Sequence, residues 1–477
     1  MPDITKKVLI NSVLWNAFEK YSSQGITFIV SIIMARILTP TEYGTVGIIS
    51  VFIGISSVFI NSGIGRALIS KQNCIEDDFY TANWINIVIS IICYTILFFT
   101  APLIAEFYKM PILISTIRIM SISFIFGAIS GVSRTILNKE MKFKQISLAT
   151  LTTSVFSGII GVSLAYNGAG IWALVYQTVL SSLFSSIWII CISGFSPRFR
   201  FSKKSFVELY SFGGKILSSD IIWAIYNNIY PLIIGKGLNA QSVGYYTRAS
   251  SYSQLVPTNF SGILESVLFP AFSTLQNEDE RLKKLYCKAL TISSFFIFTG
   301  NFFLIGLSYP LIVNMISYKW LPCVPLLQIL CLSTLWSHIN SINGRLLMAK
   351  GYPGVFLKIS TVTQPLTLLI IVISFSFGLR GLAWGAVIAS TLGTLYNCHV
   401  FKTKIGLNPF IYLKKSFKIL ILAASIGIIT LLTFKFYLSP SLTNLILVAV
   451  LMTLTYLILI RLLMPGIFSE LKNIKRT

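Results

Sequence analysis

Apolar runs of about twenty residues recur along the whole chain, separated by short polar connectors, and nothing else in the sequence constrains its fold as strongly. A helix needs about 20 mostly apolar residues to cross a hydrocarbon core of ~30 Å. Fourteen such spans can be marked, at roughly 13–38, 43–65, 82–105, 112–137, 146–166, 170–193, 210–234, 243–273, 289–312, 323–348, 355–377, 381–401, 417–436 and 442–463. The longest connectors, 194–209 and 402–416, are too short for a soluble domain. Only 11% of the residues are charged, against about 25% in soluble domains. A soluble globule of this size could not hide so much apolar surface, whereas a bilayer can. The first span exceeds the length of a signal-peptide core and no A-x-A site follows it, so it is read as a retained helix. The seven cysteines form no CxxC pair. They read as small buried hydrophobes rather than as a disulfide framework or metal site.

The formal net charge of +23 would suggest nucleic acid in a soluble protein. Here it follows the loops. When connectors are assigned alternately to two sides, one side collects 26 Lys and Arg residues and the other five. Such asymmetry marks the cytoplasmic face. It places both termini in the cytoplasm, requires an even number of spans, and removes the argument for a nucleic-acid partner.

A weak internal repeat organises the spans. Arg36, Leu38 and Gly44 recur as Lys236, Leu238 and Gly244, and Arg134, Lys139 and Gly170 recur as Arg345, Lys350 and Gly381. The expected architecture is an all-α integral membrane protein of about 14 transmembrane helices. It has two pseudo-symmetric six-helix lobes, residues 1–193 and 210–401, joined by a cytoplasmic linker at 194–209. A cytoplasmic loop at 402–416, two further helices within 417–463 and a cytoplasmic tail at 464–477 complete it. Lobes with an even number of spans form a parallel repeat, an arrangement that places a substrate cavity between the halves and allows alternating access.

Ionisable groups inside spans are costly and usually face protein or a wet cavity. Asn16, Lys20, Gln24, Thr27 and Ser31 form one polar stripe down span 1. Arg248, Tyr252, Asn259, Gly262 and Ser266 form a second down span 8. With Lys215 and Arg36 they give a cationic set, Lys20, Gln24, Arg36, Lys215, Arg248 and Asn259, suited to an anionic headgroup moving through a low-dielectric slab. Arg36, near a span end, also reads as a snorkelling side chain, as do Arg134 and Arg345. The intramembrane acids Glu19, Asp220 and Glu265 are candidates for proton or sodium coupling, or simply balance neighbouring cations. Lys20 and Asp220, related by the same shift of the repeat, form a candidate pair. Pro257, near the middle of span 8, is the candidate hinge. His338 reads as a hydrogen-bonded packing residue. No Walker motif is present, so no ATP-hydrolysing site and no cofactor is expected.

Several stretches carry a resemblance: MARILTPTEYGTVGIISVF (Met34–Phe52), APLIAEFYKMPIL (Ala101–Leu113), LNKEMKFKQIS (Leu137–Ser147), GAGIWALVYQ (Gly168–Gln177), VGYYTRASSYSQLVP (Val243–Pro257) and LFPAFSTLQNEDERLKKLY (Leu268–Tyr286). In this order they resemble the Wzx-type flippases of the MATE-like superfamily, near the colanic-acid and capsule branch. The resemblance is good over about residues 8–290 and weaker to about 400. It implies a flippase, not an enzyme, that carries an undecaprenyl-diphosphate-linked oligosaccharide repeat unit across a bacterial inner membrane for O-antigen, capsule or exopolysaccharide synthesis. It also implies a cationic central cavity, at Lys20, Arg36, Lys215 and Arg248 here, and a cation-coupled cycle. A polymerase and a chain-length regulator would be its working partners, with membrane lipids around it. Many relatives carry an acid near the end of span 7, where this chain has Tyr230 and Pro231. Drug–cation antiporters share the architecture, but a cationic cavity would repel a cationic drug. Glycan polymerases and ligases resemble many-helix proteins with a large external loop bearing Arg and His, which is not found here.

Overall fold

Each of the fourteen expected spans falls on a helix or a pair of consecutive helices. The structure, a computed structural model, describes residues 6–61, 64–71, 73–196, 198 and 200–463. The tail at 464–477 and the side chains of Lys215 and Glu265 lie outside the described residues. The helices are α1 (Lys6–Ile37), α2 (Pro40–Asn61), α3 (Ile64–Ser70), α4 (Glu76–Tyr108), α5 (Ile112–Met120), α6 (Ser123–Lys139), α7 (Phe143–Tyr166), α8 (Ile171–Ser193), α9 (Lys203–Asn227), α10 (Ile229–Gly237), α11 (Ala240–Ser253), α12 (Leu255–Thr274), α13 (Asp279–Ile316), α14 (Cys323–Ser333), α15 (Ser337–Ala349), α16 (Pro353–Phe375), α17 (Gly378–Ile405), α18 (Pro409–Phe436) and α19 (Leu442–Leu463). No strand occurs among the described residues. Ten segments among them are long and apolar enough to cross a membrane, eleven if Leu255–Gly262 and Val267–Thr274, bent by 41°, form one span. Phe99, Phe377 and Leu462 are among many large apolar side chains left exposed, as contact with lipid tails requires.

Proline sets two of the helix breaks. The ring of a proline clashes with the carbonyl four residues earlier and removes a hydrogen bond. Pro231 lies four residues after Asn227, where α9 ends, and Pro257 lies four after Ser253, where α11 ends. Spans 7 and 8 are therefore each built from two helices. The interruption expected at Pro257 sits one turn earlier, at Gln254. Pro270 lies inside α12, whose two parts bend by 41°, and Pro310 lies inside α13.

Two compact units divide the chain, Met1–Gly244 and Tyr245–Thr477. In the first, α7 packs on α1 and α8, α6 packs on α4 and α8, and α9 and α10 pack on α2 and α4. The expected start of the second lobe, residues 210–237, thus lies with the first unit. Small residues permit close helix approach where lipid gives little drive for association. The tightest case joins the N-termini of α2 and α11. The Cβ that Gly44 lacks would overlap the Ala240 carbonyl, and that of Gly244 would overlap the Pro40 carbonyl. Both helix starts are capped: Glu42 accepts from the Thr39 backbone N–H at 2.7 Å, and Asn239 Oδ1 accepts from the Ser242 N–H at 2.8 Å. The first is a capping box with Pro40 in the first helical turn.

In the second unit α13 packs on α18 and α14, and α16 on α17. Buried polar pairs staple α13 to α14 and α15, and those in turn to α17. The Tyr286 hydroxyl donates to Asn343 Oδ1 at 2.7 Å, and Asn343 Nδ2 to Asn397 Oδ1 at 2.8 Å. Asn340 Nδ2 donates to Thr394 Oγ1 at 2.9 Å and Gln328 Nε2 to Ser308 Oγ at 2.8 Å. His338 is fully buried, with Ser294 Oγ 3.0 Å from Nε2 and Phe298 edge-on at 5.3 Å, the surroundings of a packing residue.

Candidate functional site

The polar groups of α1 divide between structure and availability. Glu19 Oε1 accepts from Thr150 Oγ1 on α7 at 3.0 Å. The same hydroxyl accepts from Arg134 Nη2 on α6 at 3.2 Å, and Arg134 lies 4.0 Å from Glu19. Glu19 is therefore charge-balanced by the cation that the sequence suggested would snorkel. Lys20, the next residue, is exposed, and among the described residues it pairs with no carboxylate. Gln24 is half-buried one turn further on. Arg36 is exposed in the last turn of α1, where a cation meets the negative end of the helix dipole.

A second ionic cluster joins α3, α4 and α9. Asp220 pairs with Arg66 at 3.2 Å, which replaces the Lys20–Asp220 pairing read from the repeat. The repeat relates positions, but it does not make the related side chains meet. Lys71 Nζ lies 2.8 Å from Asp78 and 3.0 Å from Glu208. The Asp78 hydrogen bond, with Glu208 beside it, holds the Lys71 ammonium above its usual pKa. Lys139 Nζ caps the end of α3, donating to the Lys71 carbonyl at 2.7 Å and the Leu68 carbonyl at 3.2 Å.

Asp78 is wholly buried and also accepts from the Ile75 N–H at 3.0 Å, capping α4. Losing Asp78 removes the buried partner of Lys71 and the cap of α4 together, whereas an exposed pair such as Lys71–Glu208 contributes about 0–1 kcal/mol. Asp78→Ala is therefore expected to lower the unfolding temperature of the purified protein sharply, with Glu208→Gln leaving it almost unchanged. Equal shifts would show that Asp78 is not the anchor of this cluster.

In the second unit Arg248 is half-buried on α11. Asn259 on α12 spends its Nδ2 on the Leu255 carbonyl at 2.8 Å, while its buried Oδ1 meets no hydrogen-bond partner among the described residues. An orphaned buried acceptor of this kind calls for water or a ligand. Sequence reasoning missed Thr150 and Arg66, because a lone threonine, or an arginine read as part of a connector, carries no periodic signal. The repeat itself pointed to Gly44 and Gly244, but not to their contact.

This helix order and these broken spans define a multi-pass membrane protein with the fold of the MOP-superfamily transporters. The structure matches the lipid II flippase MurJ in its inward closed conformation with a TM-score of 0.75 at 19% identity, covering 94% of this chain and 99% of that one. An inward-facing MATE multidrug-resistance transporter matches with a TM-score of 0.62 at 16% identity, over 80% of this chain and 94% of that one. Residues 33–325 match the model of the polysaccharide biosynthesis protein family, and the chain belongs to that family. Its relatives include the teichuronic acid biosynthesis protein TuaB of Bacillus subtilis, 26% identical over 90% of this chain and 89% of that protein. The lipopolysaccharide biosynthesis protein WzxC of Escherichia coli is 24% identical over 82% of this chain and 80% of its own length.

Proposed function

We propose that this protein flips an undecaprenyl-diphosphate-linked oligosaccharide repeat unit from the cytoplasmic to the outer leaflet of a bacterial plasma membrane by alternating access. The observation that carries this reading is the family match over residues 33–325. The MurJ-like fold and the relatives named for lipopolysaccharide and teichuronic acid synthesis support it. In this reading fourteen spans cross the membrane with both termini cytoplasmic, as the 26-to-five division of basic residues favours. The lobes 1–193 and 210–401 rock about the substrate, with Pro257 as hinge. Lys20, Gln24, Arg36, Lys215, Arg248 and Asn259 receive the diphosphate and the first sugars. Glu19, Asp220 and Glu265 are the groups through which protons or sodium ions drive the cycle. For Glu19 and Asp220 the support is their contact with Arg134 and Arg66, since neutralising either acid would free a cation. The polymerase and the chain-length regulator act downstream on the product. The test is to delete the gene and locate the lipid-linked repeat unit with a membrane-impermeant glycan probe. Accumulation on the cytoplasmic leaflet is the expected result. Export of unpolymerised units would instead assign the protein to a later step.

A further inference from the structure

The first unit also holds a cleft that none of the cationic set lines. This apolar cleft of about 660 Å³ lies between α2, α4 and α9. Its floor is α4 from Trp84 to Ile96, a length of about 18 Å at 1.5 Å per residue. That is close to the ~15 Å half-thickness of a bilayer core. Val88, Ile92 and Ile96 are about half exposed, so the cleft opens towards the lipid. One end is aromatic: Phe206 stacks on Tyr210, Phe201 lies tilted against Phe206, and Trp84 also lines the cleft. Aromatic side chains of this kind mark the headgroup level.

The same end is basic. Trp84 Nε1 donates to the Arg198 carbonyl at 3.0 Å, which fastens Arg198 beside this end of the cleft. Arg198, Arg200, Lys203 and Lys204 flank Phe201 within three residues on either side. Three acids of the neighbouring helices are already committed, Asp77 to Arg200 at 3.9 Å and Asp78 and Glu208 to Lys71, while Glu76 is exposed at the start of α4. Among the described residues Arg198, Lys203 and Lys204 pair with no carboxylate. Lys203 and Lys204 also open α9, against the usual preference for acids at the positive end of a helix dipole. An anion at this mouth would relieve that conflict.

We propose that this cleft holds one acyl chain of an anionic glycerophospholipid, whose phosphate sits on Arg198, Lys203 and Lys204. The cleft is as deep as one leaflet, which fits a bilayer phospholipid, and the charge at its mouth selects an anionic one. The bound chain would brace α9, the helix that carries Asp220.

The test uses the purified full-length protein in detergent, with phosphatidylglycerol or phosphatidylcholine added and retention read by native mass spectrometry. Phosphatidylglycerol should be retained in preference. Each basic residue near a lipid surface contributes enough attraction that K203A/K204A should weaken phosphatidylglycerol binding roughly thirty-fold without changing that of phosphatidylcholine. Ile92→Trp, which fills the cleft, should abolish the preference. Equal retention of the two lipids by the unaltered protein, or unchanged phosphatidylglycerol binding in K203A/K204A, overturns the proposal. Undecaprenyl phosphate added as competitor should leave the phosphatidylglycerol in place; displacement would assign the cleft to the carrier lipid and overturn it as well. Should Ile92→Trp fail to fold, the lysine variant decides alone. The outcome is independent of the flippase reading, because retention is measured without transport.

Discussion

Replacing Gly44 by alanine is expected to leave little folded protein, and replacing Gly244 by alanine should do the same. The added methyl at either position would overlap a main-chain carbonyl, of Ala240 or Pro40, rather than the end of a flexible side chain. A side chain can rotate away; a capped helix terminus cannot. Both helix starts are fixed, one by the Thr39–Glu42 box and one by Asn239, so relief requires the two helices to part. Overpacking a core by extra methylenes typically costs about 1–3 kcal/mol, and this contact stands at the upper end or beyond. The measurement is the yield of monodisperse protein and its unfolding temperature in detergent. Gly127→Ala is the matched control. It lies inside α6 with no atom near its absent Cβ, so alanine should be neutral or stabilising by about 0.5–1 kcal/mol. If Gly44→Ala behaves like Gly127→Ala, the α2–α11 contact is looser than the structure shows.

Removing both Lys20 and Arg248 should abolish export of surface polysaccharide while the protein still accumulates in the membrane. Lys20 is a cation of α1 that the Glu19–Thr150–Arg134 arrangement does not consume. A charge-assisted hydrogen bond contributes about 1.5–3 kcal/mol, or roughly ten- to a hundredfold in binding per residue. Two such losses would stop a carrier whose substrate headgroup is a diphosphate. Lys20→Arg and Arg248→Lys, which keep the charge, should retain most of the export. Immunoblotting of membranes gives the amount of protein, and surface polysaccharide gives the function. Normal polysaccharide in the double variant would remove both residues from the substrate path and leave the flippase reading to the family match alone.

Much of the secondary structure was legible because the bilayer imposes a simple rule. A span needs about twenty apolar residues, and the chain displays that length again and again. Proline acts locally but not uniformly: Pro231 and Pro257 each lie four residues after a helix end, whereas Pro310 sits inside α13 without ending it. The two glycines that the sequence matched, Gly44 and Gly244, sit together at one close approach of helices. The acids were harder to read. Glu19 and Asp220 could be read either as titrating groups or as balancing a cation, and each meets an arginine from another helix. Nothing near them in the sequence names Arg134 or Arg66.

The sequence by itself determined that this chain is a bundle of membrane helices and which family it resembles. These properties follow from composition and spacing within about twenty residues, the range over which insertion into lipid is decided. Only the tertiary structure decided which charges are committed to one another, that α9 and α10 pack with the first unit, that two glycines bring backbones into contact, and that an apolar cleft opens beside a basic strip. Those depend on which helix faces meet across more than a hundred residues of chain. In lipid, where burying another leucine gives little advantage, that choice rests on small residues, shape and paired polar groups, none of which announces its partner in a linear sequence.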